Sequence, residues 1–203
     1  MKYLFIFLII LSAFPTCCND DPVETEKISL SENEIQLIPY SLNQSVNFKH
    51  SNGFTFNFIV QQDTYSWKSH SYCDECCGGE YTSYQEKFVT LVSEYPEFNI
   101  SLSLNSLQYF EIERKFMDIK INRYSTDLKY DGNSNFTCDN VICHDEIVVN
   151  GKTYFNVLES ELENNYNTNN SAITLYPQKI LYNKEFGIIQ IKISNNETYS
   201  RNN

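Results

Sequence analysis

The fold of this chain is decided by FNISLSLN, residues 98–105, in which apolar residues occupy every second position from Phe98 to Leu104. Alternate side chains of a β-strand point to the same face of a sheet, so this spacing predicts a strand with one apolar and one polar face. Residues 54–60 repeat the pattern, with three Phe and one Val at alternate positions. The two stretches together predict a sheet with one buried face.

Shorter stretches rich in β-branched or aromatic residues predict further strands. They lie at residues 34–38, 45–49, 85–92, 118–122 and 126–130. Residues 106–117 fit either one short helix or a strand, because their apolar positions match both spacings.

Turn signals dominate the C-terminal half. Asn150-Gly151 favours the positive φ angles of a two-residue turn and therefore predicts a hairpin over residues 146–157. A second hairpin is predicted from strands at 179–182 and 188–193, with a short last strand at 197–200. These patterns predict a mainly β protein, a single antiparallel β-sandwich or an open half-barrel, with or without one short helix.

Composition limits the class of partner. The 203 residues include 15 basic and 26 acidic side chains, a formal net charge of -11. This charge repels nucleic-acid phosphates, so no nucleic-acid partner is expected. An aromatic content of 15%, with six Gly and five Pro, excludes collagen and low-complexity disorder. One globular domain with a neutral, cationic or sugar-like partner is the expectation.

The N-terminus has the composition of an export signal, since Lys2 precedes an apolar run at 3–11 that is too short to span a bilayer. The next residues, SAFPTCC at 12–18, resemble the lipobox of bacterial lipoproteins, in which a Cys becomes the lipid-modified first residue of the mature chain. The resemblance implies that Cys17 or Cys18 is lipidated, with a slight preference for Cys17.

The residues after the lipobox, Asn19-Asp20-Asp21, resemble the acidic stretch of surface-exported lipoproteins of the Bacteroidota type. The resemblance implies a signal peptide at 1–16, a lipidated flexible tether at 17–27 and a β domain at 28–203. Acyl chains such as palmitate would then hold the protein on the outer membrane, facing the periplasm or the cell surface.

The C-terminal half carries a second resemblance. Residues 151–154 (GKTY) and 181–188 (LYNKEFGI) are similar to segments of uncharacterised Bacteroidota lipoproteins and, more loosely, to the curved half-barrel of lipoprotein carriers. The carrier resemblance implies an apolar ligand in a cavity that side chains leave unfilled. The expected lining includes Phe54, Phe56, Phe58, Ile100 and Leu102.

The sequence contains seven cysteines, which is the one unusual feature of its composition. Beyond the two at the lipobox, they are Cys73, Cys76, Cys77, Cys138 and Cys143. Export favours disulfides, either a small loop closed by Cys138 and Cys143 or a cross-link between the two clusters. The alternative is a tetrahedral zinc site with ligands from Cys73, Cys76, Cys138, Cys143 and His144. Five is an odd number, so one thiol stays free or pairs with a lipobox cysteine.

No catalytic constellation is evident in the sequence. Cys143 and His144 are neighbours, and on an extended segment their side chains would point to opposite faces, which prevents a nucleophile and base pair. The sequence contains no phosphate loop, dinucleotide fingerprint, Gly-x-Ser-x-Gly or His-Glu-x-x-His motif. We therefore predict no catalytic residue and no cofactor.

Aromatic residues flank the first cysteine cluster, and they are either alternating core residues or exposed rings that stack on a sugar or anchor a protein. They are Tyr65, Trp67, Tyr72, Tyr81 and Tyr84. The leading hypothesis is a non-enzymatic, lipid-anchored binding module whose disulfide-braced loops contact another protein or a glycan. The alternatives are a carrier of an apolar ligand and a metal-binding protein that uses the cysteine clusters.

Overall fold

The computed structural model describes residues 22–71, 80–106, 115–164 and 175–202. Thirteen strands and one short helix lie within these ranges, and the helix is α1 (Glu32–Ile35). The strands are β1 (Val23–Ile28), β2 (Ser45–His50), β3 (Thr55–Ser71), β4 (Glu80–Ser93), β5 (Phe98–Asn105), β6 (Lys115–Ile121), β7 (Tyr124–Tyr130), β8 (Ile142–Val149), β9 (Lys152–Glu161), β10 (Glu163–Asn164), β11 (Pro177–Asn183), β12 (Gly187–Ile193) and β13 (Thr198–Arg201).

The described strands form one sheet that curls into a half-barrel, which confirms the predicted mainly β, open half-barrel class. Twelve of them follow one another in the order β10-β7-β6-β5-β4-β3-β2-β13-β12-β11-β9-β8. Neighbours in this row pair antiparallel, whereas β1 lies outside the row and pairs parallel with β4. The last strand, β13, joins β12 to β2 and so connects the C-terminal half to the N-terminal half.

The decisive stretch forms β5 with the predicted bounds. Ile100, Leu102 and Leu104 are at most 1% exposed, and the polar residues between them lie on the opposite face. β3 repeats the alternation from Phe56 to Val60 and then continues to Ser71, beyond its predicted end. A register shift after Val60 marks the point where β3 leaves the core and becomes mostly exposed.

The exposed part of the sheet is an arm of three strands. It consists of residues 62–71 of β3, residues 80–85 of β4 and the whole of β1. The tether predicted at 17–27 therefore needs correction, because residues 23–27 belong to β1. These polar residues are ordered by backbone hydrogen bonding to β4, which a composition argument cannot detect.

The strand predicted at 34–38 is wrong, because α1 covers Glu32–Ile35 and residues 36–38 form a turn. Ser31 and Glu34 form a capping box, in which each side chain accepts a hydrogen bond from the backbone N–H of the other. This local pairing ends any extended conformation at Ser31. The helix predicted as one option at 106–117 is only partly described, and its last three residues, 115–117, belong to β6.

The predicted hairpin at Asn150-Gly151 is confirmed, with φ angles of 51° and 77° at the two residues. Its strands, β8 and β9, extend further than predicted, to Ile142 and Glu161. The predicted second hairpin is confirmed as β11 and β12, and the last strand as β13.

The inner face of the half-barrel is filled by the segment between β1 and β2. Leu37 and Ile38 from this segment are buried in the same cluster as Phe58, Ile100 and Leu102. Tyr182 donates a 2.5 Å hydrogen bond to the carbonyl of Leu37. The face that an apolar-ligand carrier would leave open is therefore occupied by the chain's own side chains.

Candidate functional site

The two ends of the sheet meet where β9 passes into β10, and we call this place the seam. β9 pairs with β11, and one residue later β10 pairs with β7 at the other end of the row, with Glu163 opposite Ser125. The hydroxyl oxygens of Thr126 and Ser160 lie 2.6 Å apart across the seam. One continuous segment thus links both ends of the half-barrel.

An open cleft of about 640 Å³ lies along the seam. Its lining is polar, and we call it the seam cleft. β7 contributes Asp127, β9 contributes Glu159 and Glu161, and β11 contributes Lys179, while residues 140–142 form another wall. With Glu163 of β10, four carboxylates against one ammonium group line the cleft, and they suit a ligand that offers hydrogen-bond donors.

The wall at 140–142 belongs to a loop closed by a disulfide between Cys138 and Cys143. A second cleft of about 580 Å³ lies against this disulfide, and its lining also includes His144, Phe155 and Lys184. The closed loop therefore contributes residues to both clefts. The disulfide reduces the freedom of the loop and so holds the walls of the two clefts in place.

Three polar side chains, His144, Glu159 and Lys179, connect the two clefts. Nε2 of His144 lies 3.1 Å from Oε2 of Glu159, and Nζ of Lys179 donates a 2.9 Å hydrogen bond to Oε1 of the same carboxylate. The hydrogen bond from Lys179 is the main cause that lowers the pKa of Glu159, with a further contribution from His144. Glu159 in turn raises the pKa of Lys179. At neutral pH this group presents a carboxylate whose two oxygens both have partners.

A pair of carboxyl groups lies on two neighbouring strands, β6 and β7. Asp118 of β6 is directly opposite Asp127 of β7 in the antiparallel register. Burial and the negative charge of Asp127 raise the pKa of Asp118 to about 6. Asp127 also lines the seam cleft, so protonation of this pair changes the charge at its rim.

The structure places the second cysteine cluster but not the first. Cys17, Cys18, Cys73, Cys76 and Cys77 lie outside the described residues. In this structure Cys138 and Cys143 are joined to each other, as one of the two predicted disulfide arrangements requires, and neither offers a thiolate. Within the described part of the chain, no three His, Cys, Asp or Glu side chains are grouped so that they could hold a metal ion.

Of the predicted aromatic residues that the structure describes, two are exposed and two are half-buried. Tyr65 and Trp67 are 47% and 46% exposed on the arm, Tyr81 and Tyr84 are half-buried, and Tyr72 lies outside the described ranges. The ammonium group of Lys27 lies 4.4 Å from the centre of the Trp67 ring. The structure thus leaves two of the predicted rings available to a partner.

No protein-family model, no curated protein and no solved structure matches this chain. Among the described residues, no helix is long and apolar enough to cross a membrane. The site must therefore be interpreted from its own geometry.

Sequence reasoning missed the charged residues of the seam. Glu159 and Lys179 are twenty residues apart, and only the register of β9 against β11 brings them together. No local pattern signals such a pair. The Asp118 and Asp127 pair did have a signal, because Asn122 with its positive φ angle turns β6 into β7 and thereby sets their register.

Proposed function

We propose that this chain is an exported, lipid-anchored binding module without enzymatic activity, which contacts a protein or a glycan through the clefts at its seam. The observation that carries the proposal is the disulfide between Cys138 and Cys143, which braces a loop shared by two clefts. Disulfides persist mainly in oxidising compartments outside the cytoplasm. The lipobox-like leader at 12–18 agrees with this compartment.

The charges of the seam support binding rather than catalysis. Glu159 is hydrogen-bonded by both Lys179 and His144, and the sulfur of Cys143 is bonded to Cys138. A general base or nucleophile needs a free lone pair directed at the substrate. These residues instead form a fixed polar surface for a partner that donates hydrogen bonds.

The position of β1 bears on how the anchor would orient the domain. Val23 pairs with Glu80 at the outer end of the arm, and five residues lie between Cys17 and Val23. The six Cα–Cα steps from Cys17 to Val23 span at most roughly 20 Å. Lipidation of Cys17 would therefore hold the outer end of the arm close to the surface of the outer membrane.

Palmitate labelling of cells that express the chain tests the anchor. We expect the wild type to incorporate label and a Cys17→Ala/Cys18→Ala double variant to lose it. The single variants identify the acylated residue. An unlabelled wild type, or label retained in the double variant, would refute the anchor.

Binding at the seam is tested separately. The fully acylated protein, solubilised in detergent, is used to capture partners from an extract of surface proteins and glycans. A Glu159→Gln/Glu161→Gln variant changes the charge of the seam cleft, and Glu24→Gln/Glu26→Gln on β1 is the matched control. We expect only the seam variant to lose its partner. Equal capture by both variants would refute the seam as the binding surface.

A further inference from the structure

The inner face of the arm presents two aromatic rings side by side. Tyr65 lies opposite Lys87 and Trp67 lies opposite Gln85 in the β3 and β4 register, and residues opposite one another in an antiparallel pair share a face. Lys87 is buried and donates hydrogen bonds to the carbonyls of Ile35 and Ile38, which places this face toward the core side of the sheet. Tyr65 and Trp67 are two residues apart on one strand, so their Cα atoms are about 7 Å apart.

A groove of about 560 Å³ adjoins Tyr65, the inner of the two rings. One wall is the arm, with Asp63 and Tyr65, and the other walls come from the segment around Tyr40 and from the turn between β11 and β12 at Lys184 and Glu185. The lining combines an aromatic surface with carboxylate, ammonium, amide and hydroxyl groups.

Asp63 has a feature that nothing in the fold explains. Its Oδ1 is enclosed and has no hydrogen-bond partner among the described residues. A buried acceptor without a donor is unfavourable, so such an atom needs a partner from outside the fold or an explanation within it. Because Asp63 lines the groove, a turn of its side chain would bring this oxygen to a hydroxyl group of a bound ligand.

The mixed charges around the rings favour a neutral ligand. The ammonium group of Lys27 lies over Trp67, and that of Lys87 lies 5.8 Å from the centre of Tyr65. These groups disfavour a cation on the same rings. The Asp63 carboxylate and the net charge of -11 disfavour an anion. A neutral ligand with apolar C–H faces and hydroxyl donors fits both conditions.

We propose that the inner face of the arm, with Tyr65, Trp67 and Asp63, binds a neutral glycan whose sugar rings stack on the two aromatic side chains. Stacking contributes through the apolar face of each sugar ring, and the orphan oxygen of Asp63 accepts a sugar hydroxyl. This inference rests on the proposed function, because it names a ligand class for the binding module. It concerns a surface away from the seam. Its failure would leave the proposed lipid anchor and the proposed binding at the seam unaffected.

Fluorescence provides a direct test, since Trp67 is the sole tryptophan of the sequence. The full chain, solubilised in detergent, is titrated with four neutral polysaccharides: dextran, amylopectin, galactomannan and xyloglucan. Heparin and chitosan serve as anionic and cationic comparisons. We expect at least one neutral polysaccharide to shift the Trp67 emission in a saturable manner, and the two charged polymers to leave it unchanged. No response to any neutral polysaccharide, or a response confined to the charged ones, would overturn the proposal.

Variants measured by affinity electrophoresis in the responding polysaccharide separate stacking from general effects. Trp67→Ala and Tyr65→Ala should each weaken retardation about tenfold or more, as loss of an aromatic hot spot does. Asp63→Ala should weaken it as well, whereas Asp63→Asn, which retains an acceptor oxygen, should restore part of the binding. Tyr95→Ala removes an exposed ring in the turn between β4 and β5, outside the arm and outside both clefts of the seam, and is the matched control.

Circular dichroism of each variant verifies that the fold is retained. Retardation that is unchanged in Trp67→Ala, or equally reduced in Tyr95→Ala, would overturn the proposal. Normal palmitate labelling together with absent glycan binding would refute this inference alone and leave the proposed anchor intact.

Discussion

The Asp118 carboxyl lies directly opposite that of Asp127, a placement that costs free energy whenever both are ionised. Because the pKa of Asp118 is raised to about 6 in the fold, the native state binds more protons than the unfolded chain between about pH 4 and pH 6. The free energy of unfolding therefore falls as pH rises through this window. Above about pH 6, the ionised pair lowers the free energy of unfolding by its full amount.

Asp118→Asn should relieve this cost. We expect the free energy of unfolding at pH 7 to increase by about 1 kcal/mol, a figure that allows for solvent screening at this half-exposed pair. The gain should disappear at about pH 3, where the Asp118 carboxyl is protonated in both the folded and the unfolded chain. Urea unfolding followed by circular dichroism at the two pH values measures it, and Asp127→Asn should give a similar gain. A gain that persists in acid would contradict the electrostatic explanation.

Gly187 shows how one missing Cβ permits a close contact. Its φ angle is +74°, and a Cβ at this position would lie 2.3 Å from the hydroxyl oxygen of Tyr40. The same hydroxyl accepts a 2.7 Å hydrogen bond from the backbone N–H of Ile188. Tyr40 is buried, so it has little room to move away.

Gly187→Ala should lower the free energy of unfolding by about 3 kcal/mol, through both the left-handed φ angle and the clash with Tyr40. Gly151 is the matched control, because its φ angle is +77° and nothing lies within 4 Å of the position of its Cβ. Gly151→Ala should cost only about 1 kcal/mol. Denaturant unfolding of both variants separates the cost of the φ angle from the cost of the contact with Tyr40. Equal losses would show that the contact with Tyr40 contributes nothing.

At the scale of elements, the loop between Cys138 and Cys143 follows β7 and includes the first two residues of β8. Its disulfide closes a short loop, with a sequence separation of 5. In the chain-entropy model such a loop stabilises the fold by about 2 kcal/mol. The contribution is modest because the loop is short, so the main effect is expected at the clefts rather than on the whole fold.

Cys138→Ser/Cys143→Ser should therefore lower the free energy of unfolding by about 2 kcal/mol without abolishing the fold. Amide hydrogen exchange should increase most at residues 138–143, which line both clefts. A reducing agent added to the wild type should reproduce the loss, and added to the variant should have no further effect at this loop. Unchanged exchange there would contradict the bracing role.

At the scale of the molecule, Glu34 connects the segment that fills the half-barrel to the sheet. Its carboxylate accepts hydrogen bonds from Ser31 within the capping box and from Lys115 of β6. Burial raises the pKa of Glu34, but the bonds from Lys115 and Ser31 outweigh it and lower the pKa overall. Its contribution to stability is thus present above the unfolded-state pKa of about 4.3 and lost as pH falls through the lower folded-state value.

Glu34→Gln should lower the free energy of unfolding at pH 7 by about 2 kcal/mol, because Lys115 loses a charged partner. The difference from the wild type should shrink in acid, below about pH 4. Glu32→Gln is the control, since Glu32 lies exposed in the same helix. Acid titration of stability by circular dichroism checks both variants. A loss of the same size at every pH would refute the role of the ionised carboxylate.

The sequence by itself determined the strands whose apolar residues alternate, and β5 and the hairpin at Asn150-Gly151 were predicted closely because their signals are local. It also predicted the half-barrel as one of two architectures and Cys138 with Cys143 as one of the disulfide arrangements. The polar strand β1 escaped prediction because its order comes from pairing with β4, far along the chain. Likewise α1 replaced a predicted strand because a capping box outweighed a short apolar run.

Only the tertiary structure decided where the proposed binding surfaces lie. The seam depends on β10 reaching β7, and the groove beside Tyr65 depends on packing between the arm, the segment around Tyr40 and the turn at Lys184. Both bring together residues that are distant in sequence, and their register is set by the summed pairing of the whole sheet. Spacing along the chain encodes which face a side chain occupies, but it carries no information about which distant strand that face will meet.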